Sequence, residues 1–140
     1  MKLKLFHHTS SILVLLMIIC FEISSLSSEF LGDYTLIANV KKAILYSLPL
    51  LMIFMIIAAV SAKKLALLYT NNPYAQIKVK RMKLMGMNGL VFLMPLAILL
   101  NYFAQNSIID TTFYLLQCLE IICGLFNILF FVKIFIDEKK

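Results

Sequence analysis

The sequence predicts an all-α fold: a polytopic membrane protein whose single domain, residues 1–140, is a four-helix transmembrane bundle. Three observations lead there. Hydrophobic residues make up 62% of the 140 and charged residues only 14%, where a soluble domain runs about half apolar and a quarter charged. Four runs have the length of roughly 20 residues that carries a helix through the hydrocarbon core, and several of them lack the polar face that a water-soluble helix needs. The lysines and the arginine gather between these runs, which is how membrane orientation is written into a sequence.

The first span is placed at 10–30. Its uninterrupted apolar core, Ser11 to Phe21, is short, Lys2 and Lys4 precede it, and Ser24-Ser25-Leu26-Ser27-Ser28 follows. That profile also fits a cleavable signal peptide, which would leave three helices. Glu22, close behind the apolar core, argues for a retained helix. The second span, 43–62, contains Pro49, expected in its outer turns where a missing N–H costs least. A basic cytoplasmic loop is expected over 63–83, with Asn71-Asn72-Pro73 as its turn signal. The third span, 84–104, has Pro95 mid-span, where a kink is expected. Gly86, Gly89, Ala97 and Ala104 fall roughly along one of its faces and predict close helix packing. Gln105, at its outer end, is expected to face interfacial water or span four. The fourth span is placed at 111–132.

Eleven of the thirteen Lys and Arg residues lie on one side of this arrangement: Lys2, Lys4, Lys63, Lys64, Lys78, Lys80, Arg81, Lys83, Lys133, Lys139 and Lys140. Only Lys41 and Lys42 lie on the other. Both termini and the middle loop are therefore expected in the cytoplasm, and the small size points to a bacterial inner membrane. The net charge of +6 serves topology in this reading, so nucleic acid is not an expected partner. Lys63, Lys64, Lys78, Lys80, Arg81 and Lys83 can also attract anionic lipid headgroups.

The fourth span carries the unusual chemistry. At 100° per residue, Gln117, Glu120, Cys123, Gly124 and Asn127 share one face, within about 60° of Glu120, while Cys118 points into the apolar surface. Gly124 lets another backbone approach there. An acid at the depth of Glu120 costs about 2.5–3.5 kcal/mol on insertion scales. No Lys, Arg or His is assigned to a span interior, so Glu120 is expected to be neutral and hydrogen-bonded to an Asn, Gln, Ser or backbone carbonyl. Glu22 in the first span reaches a similar depth. If the two acids meet, they form a site for a shared proton or a small cation.

Other chemistry is sparse. His7 and His8 read as polar flank, and no second segment offers a histidine for bis-His haem. Cys20, Cys118 and Cys123 form no C-x-x-C pair. No phosphate loop, zinc-protease motif or nucleophile elbow occurs. No catalytic residue, metal site or cofactor is therefore expected.

A short four-span chain with Phe21-Glu22-Ile23 in its first span resembles the small multidrug resistance transporters. In that family a first-helix glutamate binds proton and cationic drug in turn, inside a dimer. The resemblance covers one helix. This chain departs from it in having no tryptophan, a long basic middle segment and a polar stripe on its fourth span, so no site residue is carried over.

Three functions follow as expectations. The first is a non-enzymatic subunit or assembly partner in a membrane complex, in contact with the lipid bilayer and with copies of itself or a membrane protein partner. The second is a proton-linked carrier of a small solute or cation, acting as an oligomer through Glu120 and Glu22. The third is a redox subunit associated with haem or quinone.

Overall fold

The computed structural model describes residues 1–138 and is a bundle of four helical rods. Lys139 and Lys140, counted above toward topology, lie outside the described residues. The rods are α1 (Lys2–Leu31), α2 (Tyr34–Leu68), a third rod made of α3 (Pro73–Asn88), a π-helical turn (Gly89–Leu93) and α4 (Met94–Gln105), and α5 (Thr111–Glu138). All four rods are long and apolar enough to cross a membrane, and the chain is an integral membrane protein of all-α class. Large apolar side chains such as Leu16, Ile53, Ile56, Leu99, Ile122 and Leu129 cover the outside, as a lipid-facing surface requires.

The connections are tight. Gly32 closes α1 in the left-handed region, at φ 70°, a conformation open to glycine without a Cβ penalty. Asp33 then caps α2, its side chain accepting from the Thr35 N–H at 3.0 Å. This turn and the loop between α4 and α5 form one end of the bundle, called here the hairpin end. Met1, the α2–α3 connection and the last turns of α5 form the other, the terminal end.

The basic loop expected over 63–83 is a correction. Helix α2 continues to Leu68 and α3 starts at Pro73. Lys63, Lys64, Lys78, Lys80, Arg81 and Lys83 are therefore all helical. Lys and Arg are good helix formers, and the true turn is only the four residues around Asn71-Asn72. Asn72 caps α3 by accepting from the Tyr74 N–H at 3.0 Å, and Pro73 occupies the first helical turn, where no N–H is missed. For the same reason Pro49 is not in the outer turns of its rod: α2 begins at Tyr34, so Pro49 sits in its interior.

Pro95 is accommodated by a change of helix type. The Met94 N–H reaches back five residues to the Gly89 carbonyl, so the turn before the proline is wider than an α-turn and the carbonyls that Pro95 cannot serve are reorganised. Of the small residues expected to pack, Gly89, Ala97 and Ala104 are buried. A Cβ on Gly86 would meet nothing within 4 Å, so that glycine is not a point of close approach.

Two rods show why the bundle closes. Ile37, Lys41, Ile44, Leu48, Leu51, Met55, Ala58 and Ala62 form the buried stripe of α2. Phe113, Gln117, Glu120, Gly124, Asn127, Phe131 and Ile134 form that of α5. Both alternate steps of four and three, the spacing of a knobs-into-holes seam. Much of the central core comes from Val14, Ile18, Leu48, Leu51, Met55, Ala58, Met85 and Phe131.

Candidate functional site

A charged network lies inside the hairpin half of the bundle, and its centre is Lys41. This lysine is on the buried stripe of α2 and is only 2% exposed. Its three N–H donors are all engaged. Nζ donates to Ser25 Oγ of α1 at 2.5 Å, to Gln117 Oε1 of α5, and to Glu120 Oε2 of α5 at 3.0 Å. Glu29 Oε1 of α1 stands 3.6 Å away, and the Phe113 ring lies beneath the ammonium at 6.0 Å. Gln117 Nε2 closes the circuit by donating to Ser25 Oγ at 3.0 Å.

Lys41 overturns two expectations together. The sequence places it on an outer flank beside Lys42, which leaves the span interiors without a counter-ion. Because α2 starts seven residues before it, at Tyr34, Lys41 stands about 10 Å inside its helix. Glu120 consequently has a lysine ammonium 3.0 Å from its carboxyl, in place of the amide, hydroxyl or carbonyl partner expected from the sequence. Lys42, one residue on, points outward over the Tyr46 ring at 6.0 Å.

Glu22 and Glu120 do come to one place. Glu22 lies nine residues before Leu31 at the end of α1, and Glu120 nine residues after Thr111 at the start of α5, so each is about 13 Å deep. Both line a cavity of about 40 Å³ together with Ser25, Asn127 and apolar side chains from α2 and the third rod. This is room for water molecules or a small cation. Gly124 leaves room for the Glu22 side chain: a Cβ there would run into the Glu22 carboxylate. Neither a hydrogen bond nor an ion pair reaches Glu22 among the described residues.

Of the remaining stripe residues, Asn127 lines this cavity. Asn88, just before the π-helical turn, donates from Nδ2 to the Cys123 carbonyl at 3.0 Å and to Asn127 Oδ1 at 2.9 Å. Asn127 is fully buried, and its Nδ2 has no partner among the described residues. An unmatched donor beside a cavity lined by carboxyls is a place for an ordered water. The Cys123 side chain is half-buried and Cys118 is exposed. Gln105 faces neither interfacial water alone nor span four: it donates to the Ala38 carbonyl of α2 at 2.9 Å.

The terminal end has its own polar contacts. His7 is no polar flank: it is 2% exposed, and its Nδ1 lies 3.0 Å from the Ala58 carbonyl and 2.8 Å from Ser61 Oγ. A ring nitrogen facing a carbonyl is the protonated one, so His7 ties α1 to α2. Arg81 of α3 donates to Asp137 of α5 at 2.5 Å. No protein family, curated protein or solved structure matches this chain.

Proposed function

We propose that the protein is a non-enzymatic carrier that moves protons, with or in exchange for a small cation, through the cluster of Glu22, Glu120 and Lys41. Charge balance supports this reading. One lysine faces three carboxyls. Lys41 balances Glu120 at 3.0 Å, and Glu29, two residues from the end of its helix, stands 3.6 Å from the same ammonium. Glu22 is left deep in the bundle, beside a cavity and without an ion pair among the described residues. A carboxyl at such depth takes a proton or a cation to balance it. The small volume selects protons, water and small cations over larger solutes.

The assembly-partner reading draws less support, because Gln117, Glu120 and Asn127, the stripe that would meet a partner, are buried within the chain's own bundle. In the carrier reading α1 is retained as a helix, the terminal end is cytoplasmic by its excess of Lys and Arg, and the host is a bacterial inner membrane. The test is flux in proteoliposomes with a trapped pH-sensitive dye, driven by an imposed ion gradient. Wild type should acidify the lumen above protein-free vesicles, and Glu22→Gln should abolish this while the protein still inserts. Flux equal in wild type and Glu22→Gln, or none in wild type, would sink the carrier and leave a structural network.

A further inference from the structure

The terminal end holds a second and much larger cavity, of about 820 Å³, within the size range of small-molecule sites. It is bounded by the first turns of α1, the last turns of α2, the start of α3 and the end of α5. Among the described residues its charged lining is Lys4, Lys78, Arg81 and Asp137, three cations and one acid. The arrangement is organised. Lys4 lies over the Tyr69 ring at 5.8 Å, and Asp137 holds Arg81 at 2.5 Å. Leu5, Leu65, Ile77 and Ile134 supply apolar wall between the charges.

We propose that this cleft binds the phosphate headgroup of an anionic phospholipid, with Lys4, Lys78 and Arg81 as its ligands. The location selects a lipid over a free anion. The cleft lies where the apolar rods end, beside the exposed rings of Tyr69 and Tyr74, and aromatic rings of this kind sit at headgroup level. Apolar wall next to basic side chains suits a headgroup with the first carbons of its chains. The cleft also selects among the basic residues. Lys78 and Arg81 line it, whereas Lys63, Lys64, Lys80 and Lys83 are exposed elsewhere on α2 and α3. Lys4, from the far end of the sequence, completes it.

The experiment is native mass spectrometry of the delipidated full chain titrated with phosphatidylglycerol, and with phosphatidylcholine as the zwitterionic control. Wild type should retain one phosphatidylglycerol in preference to phosphatidylcholine. Lys4→Gln/Lys78→Gln should weaken that binding by roughly tenfold or more. Lys63→Gln/Lys64→Gln, which removes the same charge outside the cleft, should change it less than about twofold. Lys4→Gln alone, at an exposed position near the chain start, tests the site should the double variant fail to fold, and should still weaken binding several-fold. Equal losses in the two double variants would mean diffuse attraction and would overturn the site. So would equal retention of the two lipids. Competition by millimolar inorganic phosphate would overturn the lipid assignment in favour of a free anion.

Discussion

The two ends of the bundle use the same side-chain chemistry in opposite ways. In the hairpin half, Lys41 is closed off, and each of its donors meets a side chain of another helix. At the terminal end, Lys4, Lys78 and Arg81 ring an open cleft. A charge sealed in a bundle is tied to its partners, and its loss strands them. A charge on an open wall stays available to a ligand, and its loss costs the fold little. The contrast separates residues sealed among the helices from residues that line an open cleft.

Variants can break or sharpen this contrast. The largest effect is expected from Lys41→Met, which leaves Glu120 buried and Glu29 half-buried with no cation. Removing one partner of a buried pair costs about 3–5 kcal/mol, to be read from reversible unfolding in mixed micelles. Lys42→Met, one residue away, should cost less than about 1 kcal/mol, the scale of an exposed cation–π contact. Equal losses at the two positions would show that Lys41 is not sealed. Combining Lys41→Met with Glu120→Gln should recover part of the loss, since the stranded acid is gone.

Next in size is Gly124→Ala. The new methyl meets the Glu22 carboxylate, and overpacking of this kind costs about 1–3 kcal/mol. Glu22→Ala in the same chain should relieve it, and a double-mutant cycle without coupling would place Glu22 away from α5. Smaller again is Asn88→Ala, which removes two hydrogen bonds to α5. Interhelical hydrogen bonds in membranes average about 0.6 kcal/mol each, so a loss of about 1 kcal/mol is expected. The smallest is Arg81→Gln. Its bond to Asp137 is only half-buried, and a pair so close to water is worth about 0–1 kcal/mol. A loss of several kcal/mol there would make Arg81 a structural residue of the same kind as Lys41 and erase the contrast between the two ends.

The four rods were legible because apolar length is a strong signal, and the stripe on α5 was legible because Gln, Glu and Asn contrast with a field of Leu, Ile and Phe. Lys41 was not, because two adjacent lysines before an apolar run read as a flank. The signal that finds it is spacing: Lys41 falls four after Ile37 and three before Ile44, on the seam that continues to Ala62. Hydropathy contrast cannot reveal such a seam, since the lipid-facing and core-facing sides of α2 are equally apolar. The basic cleft was half legible. Lys78 and Arg81 stand among six basic residues in the middle of the sequence, but only the folded chain brings Lys4 to them and leaves the other four outside.

The position of Lys41 in the chain also bears on how the protein is made. It is joined to Glu120 across 79 residues, so at about 5–20 residues per second it waits several seconds before its strongest partner is synthesised. A bare lysine at a helix centre costs about 2.5–3.5 kcal/mol to insert, which is an upper bound for Lys41, the eighth residue of α2. Ser25 and Glu29, 16 and 12 residues upstream of it on α1, are already present by then. The α1–α2 hairpin thus carries its own interim counter-ion, and Glu29 acts as a placeholder until α5 arrives. Glu29→Gln should accordingly depress membrane insertion of the hairpin alone, scored by a glycosylation reporter, more than that of the complete chain.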